Sequence, residues 1–139
     1  MYALCAYNRC VIFCMGDTME FGIVNYVKAN GHSEIKELID DLTKKAETSK
    51  DARIRLKKIG EYAGVLKKYG TRIGEPYIKS IRGDIWELRP TNDRIFFAYF
   101  KHNTFVLLHH IVKKTNKTPI SAIEQAERNL KDWLERYGD

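Results

Sequence analysis

In this chain of 139 residues, the segment Ile85–Lys113, IWELRPTNDRIFFAYFKHNTFVLLHHIVK, contains the clearest structural pattern. Its β-branched and aromatic residues fall into three runs, Ile85–Arg89, Arg94–Lys101 and Phe105–Lys113, and this composition favours strands. The runs are separated by the short turn sequences Pro-Thr-Asn-Asp and His-Asn. Three strands joined by short turns predict an antiparallel meander.

Upstream of the meander, the pattern predicts one strand and two helices. Phe21–Val27 is rich in strand-forming residues and is followed by an Asn-Gly turn. Ser33 is a suitable N-cap for a first helix, which carries apolar residues at helical spacing. A second helix is predicted from about Asp51 to Tyr69, and Gly70 is placed to end it.

Downstream of the meander, the pattern predicts one more helix. Thr118 has the side chain of an N-cap, and Pro119 suits the first helical position. The order strand, helix, helix, three strands, helix predicts the α+β class. We expect an antiparallel sheet with the two N-terminal helices packed on one face, and a C-terminal helix.

The first eighteen residues differ in character from the rest of the chain. We interpret residues 1–18 as an N-terminal extension and residues 19–139 as a single domain. The apolar run Val11–Met15 is too short to span a membrane. A domain without cysteines of its own suggests a cytoplasmic location. Only the extension carries cysteines, and their spacing matches no zinc site: Cys5, Cys10 and Cys14.

Charge is the strongest functional signal in the composition. The net charge is +6, and residues 72–119 carry nine Lys and Arg against four Asp and Glu. An acidic partner such as nucleic acid is therefore plausible, although a solvated lysine surface is the alternative. The sequence contains no glycine-rich phosphate loop, no metal-spaced His and Cys cluster and no nucleophile elbow. We therefore expect neither a metal nor another cofactor.

The turn after the first strand of the meander brings two arginines, Arg89 and Arg94, close together across a hairpin. Two guanidinium groups at short range repel each other unless an anion lies between them, so the pair suggests a phosphate cradle. The alternative is that each arginine pairs with a carboxylate such as Glu87 or Asp93. Further cations lie on or beside the strands: Lys79, Arg82, Lys101, Lys113, Lys114 and Lys117.

The histidines and aromatic residues of the meander leave alternatives open. His109 and His110 point to opposite faces, so one faces the core or the helices and the other is available for proton transfer. The strands carry more large rings than one buried face needs, and an exposed ring such as Tyr99 could stack on a nucleobase. Core packing is the alternative for most of these rings.

Two segments resemble a known family. IRGDIWELR (Ile81–Arg89) and LLHHIVKKTNKTP (Leu107–Pro119) are similar to HigB-type toxins, the phage-derived-protein-like branch of the RelE/ParE superfamily of type II toxins. RIFFAYF (Arg94–Phe100) supports the same resemblance, which covers about residues 20–137. It implies a RelE-like fold and an endoribonuclease that cuts mRNA in the ribosomal A site. It also implies a HigA-like helix-turn-helix antitoxin, through which alone the protein would reach operator DNA.

The resemblance assigns roles to individual residues. Arg89 and Arg94 match the arginines that hold the scissile phosphate, and Lys113 and Lys114 match the basic pair after the last strand. Lys79 matches a lysine upstream of the WELR sequence. His109 lies where the subfamily often has histidine. We expect RNA contacts from one further set: Lys79, Arg82, Lys114, Lys117 and Tyr99.

The expected reaction is metal-independent attack of a ribose 2′-hydroxyl on its own phosphodiester. Arg89 and Arg94 would stabilise the developing charge, while Lys113, Lys79 or His109 would move protons. The RelE branch has strand lysines where this chain has Ile85 and Glu87, so the general base stays open. Two alternatives remain, a ParE-like inhibitor of DNA gyrase and a non-catalytic member that binds only RNA or an antitoxin.

Overall fold

The computed structural model describes residues 20–138 in full and, before them, only the backbone of two short strands. These strands, β1 (Tyr2–Leu4) and β2 (Val11–Phe13), pair antiparallel. The predicted boundary between residues 18 and 19 lies outside the described residues, and so do the three cysteines, Cys5, Cys10 and Cys14.

The described domain is a five-stranded mixed sheet with helices on both faces, and the predicted α+β class is confirmed. The order of strands across the sheet is β3-β7-β6-β5-β4. The strands are β3 (Gly22–Asn25), β4 (Ile78–Arg82), β5 (Ile85–Leu88), β6 (Asp93–Tyr99) and β7 (Thr104–Val112). The helices are α1 (Glu34–Lys45), α2 (Lys50–Tyr69) and α3 (Ile120–Tyr137), with a short 3-10 helix at Gly70–Ile73.

The first strand of this sheet does not join it in the antiparallel sense that the sequence suggested. β3 pairs with β7 in parallel, with Gly22 opposite Thr104, whereas β4 to β7 form an antiparallel meander. The two helices α1 and α2 connect β3 to the far edge of the sheet, and the meander then returns to β3. A helical connection of this length permits parallel pairing, which a short turn does not.

The meander contains one strand more than predicted. β4 lies at the edge of the sheet, and its pairing with β5 is interrupted between Ser80 and Arg82. Only Ile78 of this strand is fully buried, so it lacks the regular apolar alternation by which a strand is recognised. The bulge and the charged residues Lys79 and Arg82 are features that protect an edge from pairing with other chains.

The helices cover both faces of the sheet. α1 and α2 pack on the face that carries Ile95, Phe97 and Leu107. α3 packs on the opposite face, against Phe96 and Val106. Because consecutive residues of β6 and β7 are apolar, each face needs its own cover, and each fully buried ring contributes about 2–3 kcal/mol. The C-terminal helix therefore occupies the face that the two N-terminal helices leave open.

Local signals account for the ends of the first two helices. The hydroxyl of Ser33 accepts a hydrogen bond from the Lys36 amide in α1, and Ser49 caps α2 in the same way. Gly70 ends α2 with φ +66°, and a Cβ there would lie 2.7 Å from the ring of Phe21. None of the helices described here combines the length and the apolar composition needed to cross a bilayer.

The predicted cap of α3 is wrong by one residue. Pro119 is the N-cap, and the helix begins at Ile120. The hydroxyl of Thr118 is used elsewhere, because it donates a hydrogen bond of 2.8 Å to the Glu87 carboxylate on β5. The segment before α3 is thereby attached to the sheet.

Candidate functional site

Arg94 is held by the turn that precedes it. Its side chain is buried, and its Nη1 donates hydrogen bonds to the carbonyl oxygens of Thr91 at 2.7 Å and Asp93 at 2.9 Å. Thr91 has a left-handed backbone (φ 49°), which is unusual for a β-branched residue. The Nη2 of Arg94 makes no hydrogen bond to any residue that the structure describes.

Arg89 and Arg94 share one carboxylate, that of Glu87. The Oε1 atom of Glu87 lies 3.5 Å from the Nε of Arg89 and 3.7 Å from the Nε of Arg94. Glu87 is 1% exposed, and both Nε atoms are buried without a hydrogen bond to the described residues. Arg89 also approaches the exposed Glu75 at 3.4 Å. The arginines are therefore loosely paired.

Lys113 lies beside this pair because of the register of the sheet. Its backbone amide donates to the Asn92 carbonyl at 2.8 Å, which fixes the end of β7 against the turn before Arg94. Arg94 lies opposite Ile111, so Lys113, two residues further on, points to the same face. Lys79 is on this face too, because it is the register partner of Glu87.

Two adjoining concavities join these side chains into one groove. The first has a volume of about 660 Å³ around Arg89 and Arg94, and the second has about 360 Å³ around Lys79 and Lys117. Lys113 and Arg89 line both of them. We call this surface the basic groove, and its cations are Lys79, Arg89, Arg94, Lys113, Lys114 and Lys117. A space of this size admits a nucleotide unit.

The charges in the groove influence one another. Desolvation and the nearby positive charges of Arg94 and Arg89 lower the pKa of Lys113, while Glu87 acts in the opposite direction. Burial lowers the pKa of Arg94, although a guanidinium stays protonated at any physiological pH. A lysine with a lowered pKa exchanges its proton more readily near neutral pH.

Two residues that the sequence assigned to RNA binding lie away from the groove. Arg82 makes a bidentate ion pair with Glu127 of α3, with N···O distances of 3.0 and 2.5 Å. Tyr99 is half exposed at the opposite end of β6, where its ring packs edge-on against Phe105. Tyr99 is the fifth residue after Arg94 along the strand, which corresponds to a distance of about 17 Å.

The two histidines are engaged by carboxylates, and neither lines the basic groove. His109 stacks on Phe96, and its Nδ1 lies 3.0 Å from a carboxylate oxygen of Glu34 at the start of α1. The Nε2 of His110 lies 2.8 Å from Asp93, whose carboxylate is also bound by Arg55 of α2. His109, which the sequence predicted to be catalytic, therefore contacts Glu34 and is not part of the groove lining.

The Asp93 cluster, which consists of Asp93, Arg55 and His110, is well bonded. The Nε and Nη2 of Arg55 donate to the two carboxylate oxygens of Asp93 at 3.0 and 2.7 Å. Burial disfavours the charged form of Asp93, but the bonds from His110 and Arg55 outweigh it and lower the pKa to about 2. Asp93 thus pairs with residues other than Arg94, on the face opposite to the groove.

Several residues of the groove were not predicted from the sequence. Asn92 and Asn116 line its wall, and Thr118 lines its floor together with Glu87. Asn92 belongs to the predicted turn, which is a signal that could have found it. Thr118 could not be found in this way, because its hydroxyl suits an N-cap equally well.

Metal-binding capacity and similarity to known proteins add three findings. Among the described residues, no three His, Cys, Asp or Glu side chains are grouped so that they could hold a metal ion. A family model described as phage derived protein Gp49-like (DUF891) matches residues 47–131, which is more than half of the chain. A comparison with curated proteins gives no match.

Proposed function

Because the chain belongs to the Gp49-like family, a RelE-like family associated with toxin–antitoxin systems, we propose that it is the toxin of a type II module of the HigB-like branch. We propose further that it is an endoribonuclease that cleaves mRNA in the ribosomal A site. The observation that carries this proposal is the convergence of six cations on the basic groove.

The chemistry of the groove suits a phosphodiester. The 2′-oxygen would attack the adjacent phosphorus while the bond from phosphorus to the 5′-oxygen breaks. The products would be a 2′,3′-cyclic phosphate and a 5′-hydroxyl. The transition state gathers negative charge on the phosphoryl oxygens, and Arg94 and Arg89 would stabilise that charge. Their loose pairing with Glu87 leaves guanidinium N–H groups for the phosphate.

Lys113 is the candidate for proton transfer. It lines both parts of the groove, and its lowered pKa suits a group that takes a proton from the 2′-hydroxyl or gives one to the leaving oxygen. Lys79 is a second candidate in the adjoining part. Lys114 and Lys117 would bind neighbouring phosphates, which gives salt-dependent affinity.

The proposal includes partners and a place of action. A HigA-like helix-turn-helix antitoxin would hold the toxin inactive, and operator DNA would be reached only through that antitoxin. The toxin would act in the cytoplasm, on mRNA that is being translated. No step of the proposed reaction needs a metal, since side chains supply the positive charge.

Induced expression followed by mapping of transcript ends tests the proposal. Wild-type protein should arrest growth and create new 5′-hydroxyl ends within translated codons. Arg94→Ala should lower the cleavage rate about a hundredfold and relieve the arrest. Arg128→Ala, which removes an exposed arginine of α3 that donates a hydrogen bond to Gln125, is the matched control and should remain toxic.

Two results would contradict the proposal. Equal toxicity of Arg94→Ala and wild type at matched protein levels would contradict the assignment of the groove as the catalytic site. DNA damage without cleaved transcripts would indicate inhibition of DNA gyrase instead.

A further inference from the structure

Glu87 is a buried acid in a groove whose other charged side chains are all positive. It belongs to the floor of the groove, but its exposure is 1%, so almost none of its surface is open to a bound RNA. Its own position is fixed by strand pairing on both sides, opposite Lys79 of β4 and Phe96 of β6. A direct role in proton transfer to substrate therefore does not suit this residue.

The two carboxylate oxygens of Glu87 face different parts of the groove. Oε1 faces the Nε atoms of both arginines, at 3.5 and 3.7 Å. Oε2 accepts the hydrogen bond from the Thr118 hydroxyl at 2.8 Å. The same side chain is thus connected to the guanidinium groups and to the segment after β7 that carries Lys113, Lys114 and Lys117.

We infer that Glu87 is a positioning residue for the proposed reaction, and that it acts through Arg89, Arg94 and Thr118. By attracting the Nε edge of each guanidinium, it turns the outer N–H groups toward the groove. By accepting the hydrogen bond from the Thr118 hydroxyl, it holds the segment that carries the lysines close to the sheet. The inference rests on the proposed function, because the geometry matters only if a phosphodiester is cut there.

The charge of Glu87 makes the inference testable. A carboxylate in the groove opposes the binding of RNA, so its neutralisation should leave affinity unchanged or increase it. A positioning residue, in contrast, is needed for turnover, because small misplacements of stabilising groups cost rate. Glu87→Gln should therefore lower the cleavage rate without weakening RNA binding. If Glu87 only maintained the fold, its substitution would weaken both.

The experiment measures two quantities on the full chain. The first is the single-turnover cleavage rate at saturating protein, on ribosomes programmed with a short mRNA. The second is the affinity for a 2′-O-methyl RNA of the same sequence, which cannot be cleaved because its attacking oxygen is blocked. Glu87→Gln should lower the rate by about tenfold or more, with affinity equal to or tighter than that of wild type.

Thr118 provides a second variant in case Glu87→Gln folds poorly. Thr118→Val keeps the shape of the side chain and removes the hydroxyl, so the saturating rate should fall about fivefold to tenfold. Thr118→Ser restores the donor and should bring the rate back to within about twofold of wild type. Glu124→Gln, on the exposed surface of α3, is the control for neutralising a glutamate and should change neither quantity.

The outcomes are distinct from one another. Wild-type rates in both Glu87→Gln and Thr118→Val would overturn the inference and leave the proposed function intact. A parallel loss of rate, affinity and thermal stability in both variants would also overturn it, since that pattern indicates a structural role. If wild type itself cleaves no transcript, the proposed function fails, and the inference fails with it.

Discussion

Two buried carboxylates, Asp93 and Glu87, have the same exposure and very different surroundings. Asp93 receives three hydrogen bonds from Arg55 and His110, all between 2.7 and 3.0 Å. Glu87 is no closer than 3.5 Å to the two arginines beside it. The cations of the Asp93 cluster are satisfied by the protein, whereas those beside Glu87 keep bonding capacity for another anion. The first cluster stabilises the fold, and the second is available for a ligand.

The largest expected effect on stability comes from breaking the Asp93 cluster. Asp93→Asn removes the charge that Arg55 and His110 share, and breaking a buried pair costs about 3 kcal/mol in the free energy of unfolding. Urea denaturation measures this loss. Asp40→Asn removes an exposed partner of Lys36 and should cost less than about 0.5 kcal/mol. If both variants lose equally little, the Asp93 cluster does not stabilise the fold.

The next effect is a pH dependence that belongs to the same cluster. The pKa of Asp93 is lowered from 3.8 to about 2, so its ion pairs contribute fully above pH 3.8 and are lost as the pH falls through 2. The loss amounts to about 2 kcal/mol. Unfolding free energies measured between pH 6 and pH 2 should therefore converge for wild type and Asp93→Asn as the pH falls. A constant difference between them would contradict this assignment.

A smaller effect on stability is expected when an anion binds to the arginines beside Glu87. Inorganic phosphate that occupies the basic groove stabilises the folded state, by about 1.4 kcal/mol at ten times its dissociation constant. Thermal unfolding with and without phosphate measures the gain, and potassium chloride of equal ionic strength is the control. Arg94→Ala should abolish the gain, while Asp93→Asn should retain it. Equal gains in wild type and Arg94→Ala would show that phosphate binds elsewhere.

The smallest effect concerns the rim of the groove. Lys117→Ala removes one phosphate contact, so the slope of log affinity against log salt for a single-stranded RNA should fall by about 0.7. Arg82→Ala should leave this slope unchanged, because Glu127 already neutralises Arg82 outside the groove. Fluorescence anisotropy across a salt series gives both slopes. A lower slope in Arg82→Ala alone would reverse the placement of these two residues.

The fold was largely predictable because its main elements have strong local signals. Ser33 and Gly70 mark the ends of helices through their own chemistry, and the aromatic strands are separated by short turns. Strand β4 was missed because an edge strand with a bulge lacks the alternation that reveals a strand. The parallel pairing of β3 depends on the path of the whole chain, which local patterns do not contain.

The site was predictable where the sheet register determines it and not elsewhere. Arg89 and Arg94 flank one turn, so a hairpin brings them together in any case. His109 and Arg82 were also predicted as site residues. Their partners, Glu34 and Glu127, come from helices distant in the chain. Pairings of this kind result from tertiary packing. For the same reason the sequence did not reveal that Arg55 of α2 binds Asp93.

The parallel pairing of β3 with β7 has a consequence for synthesis of the protein. Gly22 can pair with Thr104 only after β7 has been synthesised, and contacts so distant in sequence form late in folding. The bond from Thr118 to Glu87 also needs a segment close to the C-terminal helix. A nascent chain therefore lacks an assembled groove until the codon for Thr118 has been translated.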